Sequence, residues 1–452
     1  MRRGRNLRSL SQRSVSHRSV SQRSVSHRAA AIVAALTLTA ACTSGGDEGT
    51  PSPAASSAPA GGAATTTGTG ANPTQPAGPG TGSRWDIDAA LAADPNCANP
   101  VQGDPLVIGY AADLGVIGGF ADAPASEMAK HLAKLINCSG GFAGRSVRVD
   151  VADISGSPTD TRAAVLNLIR GGAQVLLGPP FPDPGLRVLQ ATQGRMAVIF
   201  TGSTEPALAD ATDLSYLVAF NDTQGASAAA QFAQSRGWKT AVTLSSPGPY
   251  FGYNVRVFTA AFTANGGQVL ADLPFVPAEQ TDFADAVATI AQNPPDVIYT
   301  PMLAEQLVAL KTQLEAAGLG DVELVGTDAF EASFGYQLPN IDGIYHVTHA
   351  DPAPDSRLDK LIASYTAATG SPRPGAPSMV GLTGDALAVI ADAYLRINTT
   401  DPAALGRAIA SDTGVQGITG VLSYNNSGAP TKPIYIHQVV DGQATLAYKV
   451  GT

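Results

Sequence analysis

From residue 106 to residue 326, short apolar runs alternate with amphipathic stretches, and few architectures accept that pattern. Runs at 106–111, 147–151, 175–178, 197–200, 240–244, 269–273, 297–300 and 323–326 read as strands. Helical periodicity fills the intervals near 123–137, 159–171, 185–193, 224–236, 252–265, 281–292 and 303–317. Strands that are apolar throughout need cover on both faces, so the expected class is α/β with parallel sheets. Local signals agree. Ser157-Pro158 supplies an N-cap and a first-turn proline, and Thr281 precedes two acids in Asp282-Phe283-Ala284-Asp285. Gly140-Gly141, Gly237, Gly266-Gly267 and Gly318 follow expected helix ends. Beyond Gly343 the pattern gives a strand near 344–348, helices near 355–369 and 379–397, and a shorter helix from Pro402. It closes on an expected hairpin with arms at 420–424 and 433–440 around Asn425-Asn426-Ser427-Gly428.

The first 41 residues belong to a different problem. Eight arginines and no acid precede a 13-residue apolar run ending at Ala41. A bilayer span needs roughly 20 such residues, whereas a secretory h-region needs fewer. Leu38-Thr39-Ala40-Ala41 directly before Cys42 resembles a bacterial lipoprotein box, in which the cysteine is acylated and becomes the first mature residue. Thr39 departs from the aliphatic residue usual there, and an ordinary secretory signal cleaved near Ala41 remains open. Either route takes the mature chain out of the cytoplasm. The leader repeats SQRSVSHR at 11–18 and 21–28, a solvated unit with nothing to bury.

Without the leader, 20 basic side chains face 37 acidic ones, a formal charge of −17. Such a chain is a poor partner for nucleic acid or anionic lipid. Residues 43–83 are almost wholly Ala, Gly, Ser, Thr and Pro and read as a flexible tether. The remaining roughly 350 residues exceed the size at which a single core stops growing, so two lobes are expected. Cys97 and Cys138 are then the cysteines left, and in an oxidising compartment their pairing is the simplest outcome. Closing that loop contributes about 4 kcal/mol on the chain-entropy account. A reactive thiol pair is the alternative, and it lacks a CxxC spacing.

The order of several strings resembles the type I periplasmic binding proteins, particularly the leucine/isoleucine/valine-binding group that feeds ABC importers. These are IGYAADLG, GGFAGRSVRVDVADISGSP, QVLLGPP, TGSTEPAL, SRGWKTAVTL, ANGGQVL, QTDFADAV, PPDVIYT and GVQGITGVLSYNNSGAPTKPIYIHQV, spread over 106–439. Each is weak alone, and their order and spacing together are specific. The resemblance implies two Rossmann-like lobes joined by three crossover strands and closing on a small ligand like a flytrap. The expected parts are a lipoprotein signal peptide (1–41), a tether and lead-in (42–103), lobe one (104–221 with 346–411) and lobe two (222–345 with 412–452).

It also implies site residues. Ser203 and Thr204, in the loop after the fourth strand, would offer hydroxyls and N–H groups to a ligand carboxylate. Capping the helix at Pro206 explains the same residues, and both roles can hold. Asp328 matches an acid that pairs with a ligand ammonium, against the plainer reading of a solvated loop aspartate. Tyr250 and Phe251 match a Tyr-Gly that shields the ligand, with the alignment slipped by one. Met302 falls where another aromatic often lies. Core packing is the competing account of all three. The departure is GPPFPDPG: Phe181-Pro182-Asp183 stands where the family commonly has a carboxylate-binding serine, and proline has neither side-chain donor nor N–H. The expected ligand is therefore an amino acid or amide-like molecule, branched-chain ones included, with Phe181, Phe251 and Met302 as an apolar wall.

The expected function is a lipid-anchored, extracytoplasmic solute-binding component of an ABC importer, with permease and ATPase subunits as partners. A ligand-binding sensor of the same fold is the alternative. No cofactor, metal or catalysis is expected. His346, His349 and Asp351 lie close in sequence, but residues three apart on a strand face opposite ways. No phosphate-loop, dinucleotide or GxSxG motif is completed, which disfavours a secreted hydrolase.

Overall fold

The computed structural model describes residues 85–116, 118–333 and 335–451. The leader, Cys42 and the tether through residue 84 lie outside the described residues. Five strands, β1 (Leu106–Ala112), β2 (Val147–Asp153), β3 (Val175–Gly178), β4 (Val198–Phe200) and β5 (Ser215–Leu217), form one parallel sheet in the order β2-β1-β3-β4-β5. A second sheet repeats that order with β6 (Thr240–Ser245), β7 (Gln268–Pro274), β8 (Val297–Thr300), β9 (Glu323–Gly326) and β10 (Tyr345–Thr348), arranged β7-β6-β8-β9-β10. A two-residue ladder, β11 (Val415–Gln416) with β12 (Val421–Leu422), precedes β13 (Ile434–Val440) and β14 (Gln443–Val450), which extend the second sheet antiparallel beyond β10. Each sheet is doubly wound, with its strand order reversing beside β1 and beside β6. Such reversals open a crevice at the carboxyl ends of the strands.

Sequence and structure differ in several places. β5 is three residues long and begins on a serine, too short to show a period. The closing hairpin is β13 with β14, turned by Asp441-Gly442, whose φ values of 51° and 67° give the doubly left-handed turn that two-residue hairpins favour. The expected Asn425-Asn426 turn exists, but it only returns Ser423 to a lone bridge with Thr431. The helix expected at 281–292 is Ala284–Ile290, because the Gln313 amide accepts from Phe283 N–H and donates to Thr281 C=O, both at 2.8 Å. Those bonds hold 281–283 outside the helix.

The lead-in is ordered from residue 85, not only from 104. Helix Ile87–Leu91 is capped by Asp86 and buries Ile87, Ala90 and Leu91. Asp88 forms a two-pronged ion pair with Arg357 (2.8 and 2.6 Å), and a Cys97–Cys138 disulfide ties the segment to the end of helix Gly119–Cys138.

Each sheet lies between two apolar cores. His346 to Thr348, expected with lobe one, pair within the second sheet. Val415, Ile418, Leu422 and Tyr424, expected with lobe two, pack in the first lobe's core. The crossings therefore fall after β5, after β10 and before β13. They lie side by side: Leu217 N–H donates to Gly428 C=O at 2.8 Å, Gln224 to Pro430 C=O at 3.1 Å, and Phe220 stacks on His349 at 3.9 Å.

Among the described residues, helix Pro377–Ile397 alone is long and apolar enough to cross a membrane, yet 94 % of its apolar window is buried in the molecule. It is the centre of the first core, and small residues let neighbours approach. A Cβ on Gly384 would lie 2.4 Å from Ile418 Cγ1. Gly384→Ala is expected to cost about 1–3 kcal/mol through overpacking, in spite of up to about 1 kcal/mol of improved helix propensity. Urea midpoints should show the loss, and adding Ile418→Ala should not deepen it by the full cost of a new cavity.

Candidate functional site

The carboxyl ends of both sheets face one cleft, and polar side chains gather there. On the first lobe, Tyr110 OH donates to Asp122 Oδ1 and meets Thr201 Oγ1, each at 2.9 Å, while Asp113 N–H donates to Asp122 Oδ2 at 2.7 Å. Burial pushes the Asp122 carboxyl well above the ordinary range. This network braces the turn after β1 against the loop after β4.

That loop carries Ser203 and Thr204, which are 2 % and 6 % exposed. The cap of helix Pro206–Ala209 is Glu205, whose carboxylate accepts the Ala207 N–H, and Ser203 Oγ is only at 3.5 Å from Glu205 N. Gly202 packs against Pro180 and Met379, which fixes the loop beside helix Pro377–Ile397. Thr204 faces the first crossing: its carbonyl accepts Asp222 N–H at 2.9 Å and its hydroxyl bonds the Asp222 carboxylate.

On the second lobe, Tyr250 OH donates to Asp328 Oδ1 at 2.6 Å, meets Thr327 Oγ1 at 2.7 Å and accepts Ala329 N–H at 3.2 Å. His349 Nε2 lies 3.3 Å from the other Asp328 oxygen. Asp328 is thus neither solvated nor free. Asp222, at the first crossing, sits within the same electrostatic neighbourhood.

The structure thereby brings Thr204, Tyr250 and Asp328 around Asp222. Phe181 is half-buried on the opposite lip, 6.3 Å from Phe120 between ring centroids. Phe251 points into the second lobe, edge-on to Phe275 at 5.9 Å, and Met302 is fully buried in the same core. Asp222, Tyr299 and Asn254, which hydrogen-bonds the Asp222 carboxyl, are not marked by the sequence. Asp222 opens a helix under a capping box of Asn221 and Gln224, so its pattern is that of any first-turn acid. His349 had drawn notice only beside His346.

The two central carboxyls differ. Burial and the charge of Asp328 push Asp222 well above the usual range. Burial would also raise Asp328, but the hydrogen bonds from His349 and Tyr250 outweigh it and hold Asp328 below. Of the two, Asp222 is the one whose charged form the site disfavours. Three buried atoms around them have no partner among the described residues: Asp222 Oδ2, Tyr299 OH and His349 Nδ1. An acceptor or donor entering the cleft could satisfy them.

Because folded Asp222 keeps its proton to a higher pH, the native state binds more protons than the unfolded one above about pH 4. Its contribution to stability falls as pH rises. Asp222→Asn is expected to gain on the native protein from pH 4 to pH 7, measured as the difference in denaturant midpoint. A constant difference across that range would contradict the assignment.

A profile of the "Periplasmic binding protein" family matches residues 105–444. None of the curated proteins matches. Among solved structures, a leucine binding protein of Thermotoga maritima is similar at 19 % identity and a TM-score of 0.62, covering 76 % of this chain and 98 % of that one. A branched-chain amino acid transporter substrate binding protein of Streptococcus pneumoniae, in complex with isoleucine, gives 18 %, 0.63, 76 % and 99 %. A solute binding protein of an ABC transporter from Rhodopseudomonas palustris, in complex with 3,4-dihydroxybenzoic acid, gives 20 %, 0.62, 77 % and 98 %.

Proposed function

As this chain belongs to the periplasmic binding protein family and has its type I, two-lobed fold, we propose that it is the extracytoplasmic, lipid-anchored receptor of an ABC importer. It binds a small polar solute between the lobes and presents it to a permease, whose ATPase partners supply the energy. The observation that carries this reading is the convergence of Thr204, Tyr250 and Asp328 from two lobes on the crossing residue Asp222. Contacts drawn from both sides favour the closed form once a ligand is present. Cys42 is the anchor, and the chain itself performs no chemistry.

Ser203, Thr204, Asp222, Tyr250, Asp328 and His349 form the polar lining in this proposal, with Phe181 as its apolar lip and Phe251 and Met302 as the packing behind it. The ligand class is amino acids or amides. The three unpartnered polar atoms support a ligand end rich in hydrogen-bonding groups. The Phe120–Phe181 pair favours a second class, aromatic carboxylates. A thermal-shift and calorimetric screen of amino acids, amides, ureas, short-chain acids and hydroxybenzoates tests both. A ligand at a hundred times its Kd stabilises by about 2.7 kcal/mol, an upward shift that is easily read. If no compound shifts the transition, the receptor reading fails.

A further inference from the structure

Glu331 is a carboxylate with only 3 % of its surface exposed. It lies one turn beyond Asp328 on the 3-10 segment Asp328–Ser333 at the end of β9. One oxygen accepts the Thr348 hydroxyl at the second crossing. The other accepts the backbone N–H of Ser378 at 2.8 Å. Ser378 is the second residue of helix Pro377–Ile397, where an N–H has no acceptor in its own helix. That helix end belongs to the first lobe, and its next residue, Met379, touches Gly202 beside Ser203. A second-lobe carboxylate therefore spans to a first-lobe helix terminus along the wall of the cleft, where the helix dipole favours negative charge. The Ser378 hydroxyl, buried at the same contact, has no partner among the described residues.

We infer that Glu331 is an interlobe clasp: it fixes the segment carrying Asp328 against the first lobe, and the stranded Ser378 hydroxyl opposes it. The inference rests on the proposed movement of the lobes about the crossings, but its test needs no ligand. Breaking the Ser378 bond frees the Asp328 segment to follow the second lobe. Opening the contact to water satisfies the Ser378 hydroxyl. The two ends of one contact thus pull the lobes in opposite senses, which a purely structural carboxylate would not do.

The measurement is the distance between nitroxides attached to unnatural ketone residues at Asp183 and Val276, exposed positions on the two lips of the cleft. It is combined with amide exchange at Ser378 followed by NMR. Glu331→Gln is expected to lengthen the mean distance or broaden it outward and to speed Ser378 exchange by about tenfold or more. Ser378→Ala, which keeps the N–H, is expected to shorten the distance. Unchanged distances in Glu331→Gln, or shifts of the same sign in both variants, overturn the clasp. Should Glu331→Gln not fold, the native protein decides: a Ser378 amide exchanging at the rate of a solvated first-turn amide overturns the inference, and a protected one upholds it. Failure of the ligand screen would leave these readings untouched.

Discussion

Lys432→Ala is expected to destabilise the protein by about 3–5 kcal/mol, the range for removing one partner of a buried ion pair. Lys432 and Asp385 have no exposed side-chain surface, and Nζ lies 2.9 Å from Oδ2. Asp385 also accepts the Thr419 N–H at 3.0 Å, and the ammonium donates to Thr419 Oγ1 and, at 3.2 Å, to Val218 C=O. One cation thus joins the segment before β13, the segment after β5 and the central helix of the first lobe. Burial lowers the lysine's pKa and the Asp385 charge partly restores it. Without the ammonium, Asp385 is left charged with only the Thr419 donors. The double variant Lys432→Met/Asp385→Leu is expected to recover much of the loss, since apolar replacement of a whole buried pair is often neutral or better. Urea unfolding of the native protein, Lys432→Met, Asp385→Leu and the double variant checks this. Additive losses would mean that the pair is not a coupled unit.

The second large effect is acid lability through His346. Its ring is fully buried on β10, stacked on Phe330 at 4.8 Å, edge-on to His437 at 5.8 Å, with Nε2 2.9 Å from Tyr336 OH. Burial first, and the neighbouring His437 charge second, lower its pKa from 6.5 to about 3. A depressed folded pKa means that the unfolded state takes up the proton first. The associated stability is complete above about pH 6.5 and is lost progressively down to pH 3. The full loss is about 5 kcal/mol, and about half of it is gone by pH 4.5. His346→Gln is expected to be less stable than the native protein at pH 7.5 through altered packing, yet to lose far less on acidification. Parallel pH profiles for the two would remove His346 from the account.

Much of the scaffold was legible because strands and helices advertise themselves locally. Residues 175–178, 297–300 and 323–326 are mostly apolar (VLLG, VIYT and ELVG) and bounded by turn formers, and they coincide with β3, β8 and β9. β14 was missed because it is an edge strand with a mostly exposed, mixed surface, so no burial pattern marks it. Among the candidate residues, Ser203, Thr204 and Asp328 follow strand ends, which the sequence marks, whereas Asp222 and His349 are distinguished by contacts with residues distant in sequence. The same limit applies to Glu331 and Lys432. Their contacts join residues 47 positions apart, Glu331 to Ser378 and Lys432 to Asp385, and no periodicity carries information over that span.

The disulfide and the Asp88–Arg357 pair have a mechanical consequence. A pull on residue 85 passes through the Cys97–Cys138 bond and the Arg357 guanidinium into helices Gly119–Cys138 and Arg357–Thr369, both outside the first sheet. Load entering helix Gly119–Cys138 through Cys138 arrives at the end opposite Phe120 and Asp122. Both attachments lie on the first lobe, so tension at the amino end is expected to leave the distance between the lobes unchanged.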